Sequence, residues 1–169
     1  MTELAREVVT RPRVFLRNAL WWFIFTDIAC WLQTLFPGVD FLVVGLVVSL
    51  QEGRWQQTIW LSVLWILIQE GSGSLAFGSG LLWYAIVAML FSAGAWFFET
   101  KNFLFTLLFG AYLGVWHYLL VQIIAALQDY QLTPGMLLRE SYQQAVIFVP
   151  SWYVTFKFRR SGPIYDVPI

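Results

Sequence analysis

Almost the whole chain divides into apolar stretches separated by short polar turns, and the basic residues fall nearly all on one side of that zigzag. Of the 169 residues, 59% are hydrophobic and only 12% are charged, whereas a soluble domain carries about a quarter charged residues. A chain this apolar cannot cover its surface with polar groups in water, so its expected solvent is a lipid bilayer. The expected architecture is a single all-α domain, a six-transmembrane-helix bundle. Aromatic residues make up 19% of the chain, ten of them Trp, which is material for belts at the membrane interface.

The apolar segments run near Val14–Phe36, Val39–Leu50, Gln56–Gln69, Gly80–Phe98, Phe103–Leu127 and Ser141–Phe158. Crossing a hydrocarbon core of about 30 Å takes about 20 helical residues. The second and third segments fall short, so they borrow flanking residues or do not fully cross. With the N-terminus inside, Arg6, Arg11, Arg13, Arg17, Arg54, Lys101, Lys157, Arg159 and Arg160 lie on the inner side and Arg139 alone on the outer side. That asymmetry supports six crossings with both termini cytoplasmic. The inner turns Gln51–Arg54 and Glu99–Asn102 are short enough to make antiparallel hairpins. The first apolar run, from about Ala19, exceeds a signal-peptide core and no small-x-small site follows it, so a retained helix is expected. The tail 161–169, with Pro163 and Pro168, reads as an extended end.

Balanced charge gives no basic face for nucleic acid. One cysteine, Cys30, and one histidine, His117, make no metal site, and no cofactor is implied. No nucleophile–base pair, HExxH or pair of aspartates at helical spacing points to an enzyme.

Five residues stand out as ligand- or partner-binding candidates. Asp27 lies inside the first apolar segment, where a carboxylate is costly. It is a proton or cation site, a polar contact with a partner helix, or a carboxyl bonded to Trp, Tyr or backbone; the last is preferred. In the fifth segment Thr106, Gly110, Gly114, His117 and Val121 share one face. Gly110 and Gly114 form a GxxxG pair that admits another helix closely. His117 on that stripe is expected to be hydrogen-bonded against a neighbouring helix, and Gln122 to bond between helices. Glu70 opens a Gly/Ser-rich connection, Gln69–Gly80, which either lines a cavity or is a plain outer loop. Pro150 removes a backbone donor and should kink the sixth helix. Trp21, Trp22, Trp31, Trp55, Trp60, Trp83, Trp96 and Trp152 read mostly as interfacial anchors.

The turn Pro37-Gly38-Val39-Asp40, the short apolar helix Phe41–Leu50, the polar turn Gln51-Glu52-Gly53-Arg54 and the element Gly73-Ser74-Leu75-Ala76-Phe77-Gly78 together give a pattern that resembles the rod-shape-determining membrane protein family MreD. The plan is also similar to the S-components of energy-coupling-factor vitamin transporters. In the MreD family an aspartate precedes the Gly/Ser loop, and Glu70 holds that place here. The MreD resemblance implies a non-enzymatic inner-membrane scaffold. Its partners would be an MreC-like membrane protein and the peptidoglycan elongation machinery that sets cell shape, with a homo-oligomer left open. The S-component resemblance implies instead a binding subunit for vitamin or small-metabolite uptake. Its pocket would be lined by Trp65, Trp83, His117 and Tyr118 and capped by the loop bearing Glu70.

Overall fold

A computed structural model describes residues 2–71, 78–129 and 133–161, and among them every regular element is helical. In order these are α1 (Thr2–Leu35), α2 (Leu42–Glu52), α3 (Trp55–Gly71), α4 (Ser79–Phe97), α5 (Phe103–Leu127) and α6 (Pro134–Arg160). Segment 72–77 of the Gly/Ser connection and the tail from 162 lie outside the described residues.

The short helix α2 is the axis of the bundle. Its 11 residues are apolar almost all round, and nine of them are buried. A helix with no polar face has to be surrounded, and α1, α3, α4 and α6 all pack on it. Gly45 permits this crowding. A Cβ there would clash with the Phe25 ring and stand 2.7 Å from Cη2 of Trp65, so α1 and α3 press against bare backbone. Gly53 ends α2 at φ 71°, a conformation that costs glycine nothing, and the chain reverses into α3 within two residues.

The most extensive contact joins α5 to α6. An aromatic cluster on α4, α5 and α6 stacks Phe105 on Phe109 at 5.5 Å and sets Phe91 and Phe148 around them. Asn102 starts α5 by accepting a hydrogen bond from the Leu104 amide at 3.0 Å, the usual remedy for an orphan N–H in a first turn.

Several boundaries differ from expectation. Helix α1 begins at Thr2 rather than near Val14, α2 at Leu42 rather than Val39, and α6 at Pro134 rather than Ser141. At α6 the charged residues Arg139 and Glu140 read as loop, yet Pro134 occupies the first helical turn, where a missing N–H costs nothing. Helix α6 also runs unbroken through Pro150. Among the described residues two helices, Ser79–Phe97 and Phe103–Leu127, are long and apolar enough by themselves to cross a membrane.

Eight of the ten tryptophans are either exposed or buried, and Trp21 and Trp116 are half-buried. Trp31, Trp55, Trp60 and Trp96 face outward, Trp96 being 90% exposed. Trp22, Trp83 and Trp152, expected as interfacial anchors, are instead buried, as is Trp65. An indole N–H taken out of water needs an acceptor, and three of these four have one: Thr26 for Trp65, Asp40 for Trp83 and Gln51 for Trp152.

Candidate functional site

Two polar hubs close the bundle at opposite ends. The first is built on Asp40, in the connection between α1 and α2. Its Oδ1 accepts hydrogen bonds from Nε2 of Gln33 at 2.9 Å and from the amides of Leu42 at 2.9 Å and Val43 at 3.4 Å. Oδ2 accepts from Nε1 of Trp83 at 3.0 Å, and the Gln69 side chain bonds the same carboxyl. The backbone of Asp40 is clamped as well: its N–H donates to Oε1 of Gln144 at 2.7 Å, and Nε2 of Gln144 donates back to its carbonyl at 3.4 Å. Gln69 also donates to the hydroxyl of Tyr84. The Trp83 ring meets His117 edge-on at 5.9 Å, and Nδ1 of His117 lies 3.2 Å from Oγ of Ser141. Residues of all six helices thus meet around one carboxyl. Chemically the arrangement caps α2, because a carboxylate aimed at the first amides of a helix satisfies orphan donors and complements the helix dipole.

The second hub lies at the other end. Nε of Arg159 donates to Oε1 of Glu52 at 2.5 Å, and Nη2 reaches Oε2 at 3.2 Å and also bonds Oδ1 of Asn18. Gln57 donates to Oε2 of Glu52 at 2.8 Å and accepts from Asn18 at 2.8 Å. The ring Asn18–Gln57–Glu52–Arg159 ties α1, α3, α2 and α6 together. Arg159 and Glu52 are only 1% and 4% exposed. The Arg159 guanidinium, whose Nη1 is buried with no hydrogen-bond partner, lies 4.7 Å and 5.0 Å from the ring centroids of Trp21 and Trp22. The indole faces supply the attraction that a missing acceptor does not.

The five candidates are dispersed over this frame. Asp27 is exposed on α1 and has no hydrogen-bond partner among the described residues, so the bonded carboxyl preferred from sequence is not what the structure shows. Glu70 does not reach Asp40's hub through any described bond; its Oε1 accepts from the amide of Gly78 at 2.9 Å and ties the end of α3 to the start of α4. Gly110 and Gly114 do mark a close helix approach, and the helix that approaches is α6 of the same chain. A Cβ at Gly114 would stand 2.8 Å from the Ser141 carbonyl, and one at Gly110 would stand 3.1 Å from that of Ala145. His117 continues the stripe and joins the Asp40 hub through Trp83. Gln122 bonds Tyr118 on its own helix, at 3.0 Å, rather than another helix. Of the four residues expected to line a vitamin pocket, Trp83 and His117 touch, while Trp65 packs apart from them between Trp22 and Phe25.

Sequence reasoning passed over Asp40, Gln144, Glu52 and Arg159 as site residues. Asp40 carried a usable signal, an acidic residue directly before an apolar run, which is how a capped helix begins. Arg159 falls in the inner-side basic set, and nothing in its spacing distinguishes it from Lys157 or Arg160. Replacing Asp40 by Ala leaves Trp83, Gln33 and two backbone amides without their acceptor. Thermal unfolding in detergent is expected to register a loss of about 2–3 kcal/mol, with Asp40→Asn intermediate because it keeps one carbonyl oxygen. An unchanged melting curve for the Ala variant would remove Asp40 from its place as the organising group.

Comparison with known proteins adds no relative: no family model matches the chain, and neither a curated protein nor a solved structure matches it.

Proposed function

We propose that the chain is a non-enzymatic, multi-pass scaffold of the bacterial inner membrane that receives a partner's transmembrane helix on the outward face of α1. On this reading all six helices are embedded, α2 and α3 shielded from lipid along part of their length, and both termini are cytoplasmic. Support comes from the nine-to-one division of basic residues between the two sides and from the large apolar side chains exposed on α1, α3, α4, α5 and α6. The second hub then lies at the cytoplasmic side and Asp40 at the outer side.

The observation that carries the scaffold reading is Asp27. Helical spacing places it on the strip Leu16, Leu20, Phe23, Asp27 and Trp31, all of them exposed. Ten residues beyond Arg17, at about 1.5 Å each, it lies near the bilayer centre. An ionisable group facing lipid at that depth is costly and calls for a polar partner. The MreD resemblance names the class of partner, an MreC-like membrane protein of the cell-wall elongation machinery.

Co-purification with a co-expressed MreC-like protein tests this. Interhelical polar contacts in membranes contribute about 0.6–2 kcal/mol, so Asp27→Leu should weaken recovery of the partner by about threefold to thirtyfold, and Asp27→Asn should retain most of it. Full recovery with Asp27→Leu, at normal expression, would show that α1 does not receive the partner through this residue.

A further inference from the structure

Helices α1 and α6 meet at their ends and part between them. At the inner end Arg159 bonds Asn18 directly. At the outer end Gln33, Asp40 and Gln144 bridge the two helices in relay. Between these bridges lies a groove of about 540 Å³, walled by Trp21, Ile28 and Leu32 on α1 and by Pro150, Val154 and Phe158 on α6, with α2 as its floor. Its volume falls within the range of about 300–1,000 Å³ that suits small apolar ligands.

Two measures identify the occupant. From Trp21 to Leu32 the wall rises about 17 Å, and from Pro150 to Phe158 about 12 Å, at ~1.5 Å per residue. One leaflet of a hydrocarbon core of about 30 Å is ~15 Å deep. With Asp27 near the bilayer centre the groove straddles that centre, and its length, closed by a bridge at each end, suits one acyl chain reaching in from the inner surface, whereas a partner's spanning helix needs an open seam through the whole core. The second measure is charge. Arg17 lies one turn below Trp21 on the strip that continues through Ile24 and Ile28, it is exposed, and no acidic side chain among the described residues pairs with it. Lys157 and Arg160 are also exposed at this end.

We propose that the groove holds one acyl chain of an anionic phospholipid of the inner leaflet, with its phosphate on Arg17. This rests on the membrane reading above but not on the identity of any protein partner. The lipid wedges α1 away from α6 between the two hydrogen-bonded bridges that hold the helix ends, so the outward strip bearing Asp27 is presented at a defined angle.

Native mass spectrometry of the full chain from a nonionic detergent, titrated with phosphatidylglycerol and with phosphatidylcholine of the same acyl chains, tests it. One phosphatidylglycerol per chain should be retained, about fivefold more tightly than phosphatidylcholine. Arg17→Gln should abolish that preference and leave phosphatidylcholine retention unchanged. Val154→Trp fills the groove and should lower retention of both lipids at least tenfold; Ile28→Trp fills it from the opposite wall and serves should the first variant not fold. Lipid retention by a filled variant equal to that of the unmodified chain overturns the proposal. So does self-association, or capture of a partner helix, that vanishes on filling while lipid retention persists. Recovery of the chain from buffer without surfactant would overturn the membrane reading itself, which is distinct from loss of lipid by a chain that still partitions into membranes.

Discussion

Gly114→Leu is expected to abolish folding. Helices α5 and α6 meet backbone to backbone at this position, and a Cβ alone would come within 2.8 Å of the Ser141 carbonyl and 2.9 Å of the Ala145 methyl. Neither neighbour is the free end of a flexible side chain, so the helices themselves must separate. Overpacking a close contact costs about 1–3 kcal/mol for small insertions. Leucine adds three further carbons at the largest helix contact of the bundle, and the loss should exceed about 4 kcal/mol, a magnitude reserved for a broken core. Separation there would also pull Ser141 from His117 and Gln144 from Asp40. Size-exclusion profiles in detergent and protease sensitivity should both report an unfolded chain. Gly110→Ala, where the neighbours stand at 3.1 Å or more, should fold and melt lower. A folded Gly114→Leu protein with native α5–α6 packing would show that the approach is not as close as described.

The second large effect is expected at Arg159. Removing one partner of a buried ion pair leaves the other charge without compensation, at a cost of about 3–5 kcal/mol. Arg159→Met strands Glu52 with one donor, Gln57, in a site that is 4% exposed. Glu52→Leu strands the guanidinium, whose remaining contacts are Asn18 and the faces of Trp21 and Trp22. The combination Arg159→Met with Glu52→Leu removes both charges and should be more stable than either single variant. Unfolding of the four proteins in detergent closes the cycle. If the single losses simply add in the double variant, the pair is not coupled and the ring does not bind α2 to α6.

These two sites differ in how far they could be read in advance. Gly110 and Gly114 are spaced for close approach, and the structure confirms the approach itself. What spacing could not tell is whether the approaching helix belongs to this chain or to a partner. The exchange of Glu70 for Asp40 as the central acid has a similar cause. Both acids stand next to apolar helices, but only Asp40 lies where the ends of α3 and α4 and the middle of α6 converge. Asp27 was legible as a polar residue in an apolar helix, and its orientation was not. It faces outward because α1 buries the neighbouring strip Trp22, Thr26 and Ala29.

Hydropathy and turn chemistry act over a few residues at a time. They were enough, on sequence alone, to anticipate the six helices seen among the described residues, the positions of the hairpin turns and the limits of α5 at Phe103 and Leu127. Pairing is different in kind. Arg159 finds Glu52 across 107 positions, and Asp40 finds Gln144 across 104. The tertiary structure alone decided these matches, and with them which charges are buried, which glycine faces which backbone, and where α1 and α6 part to leave a groove. Helix formation answers to neighbours along the chain, whereas the partner of a buried polar group is set by which helices the core brings together.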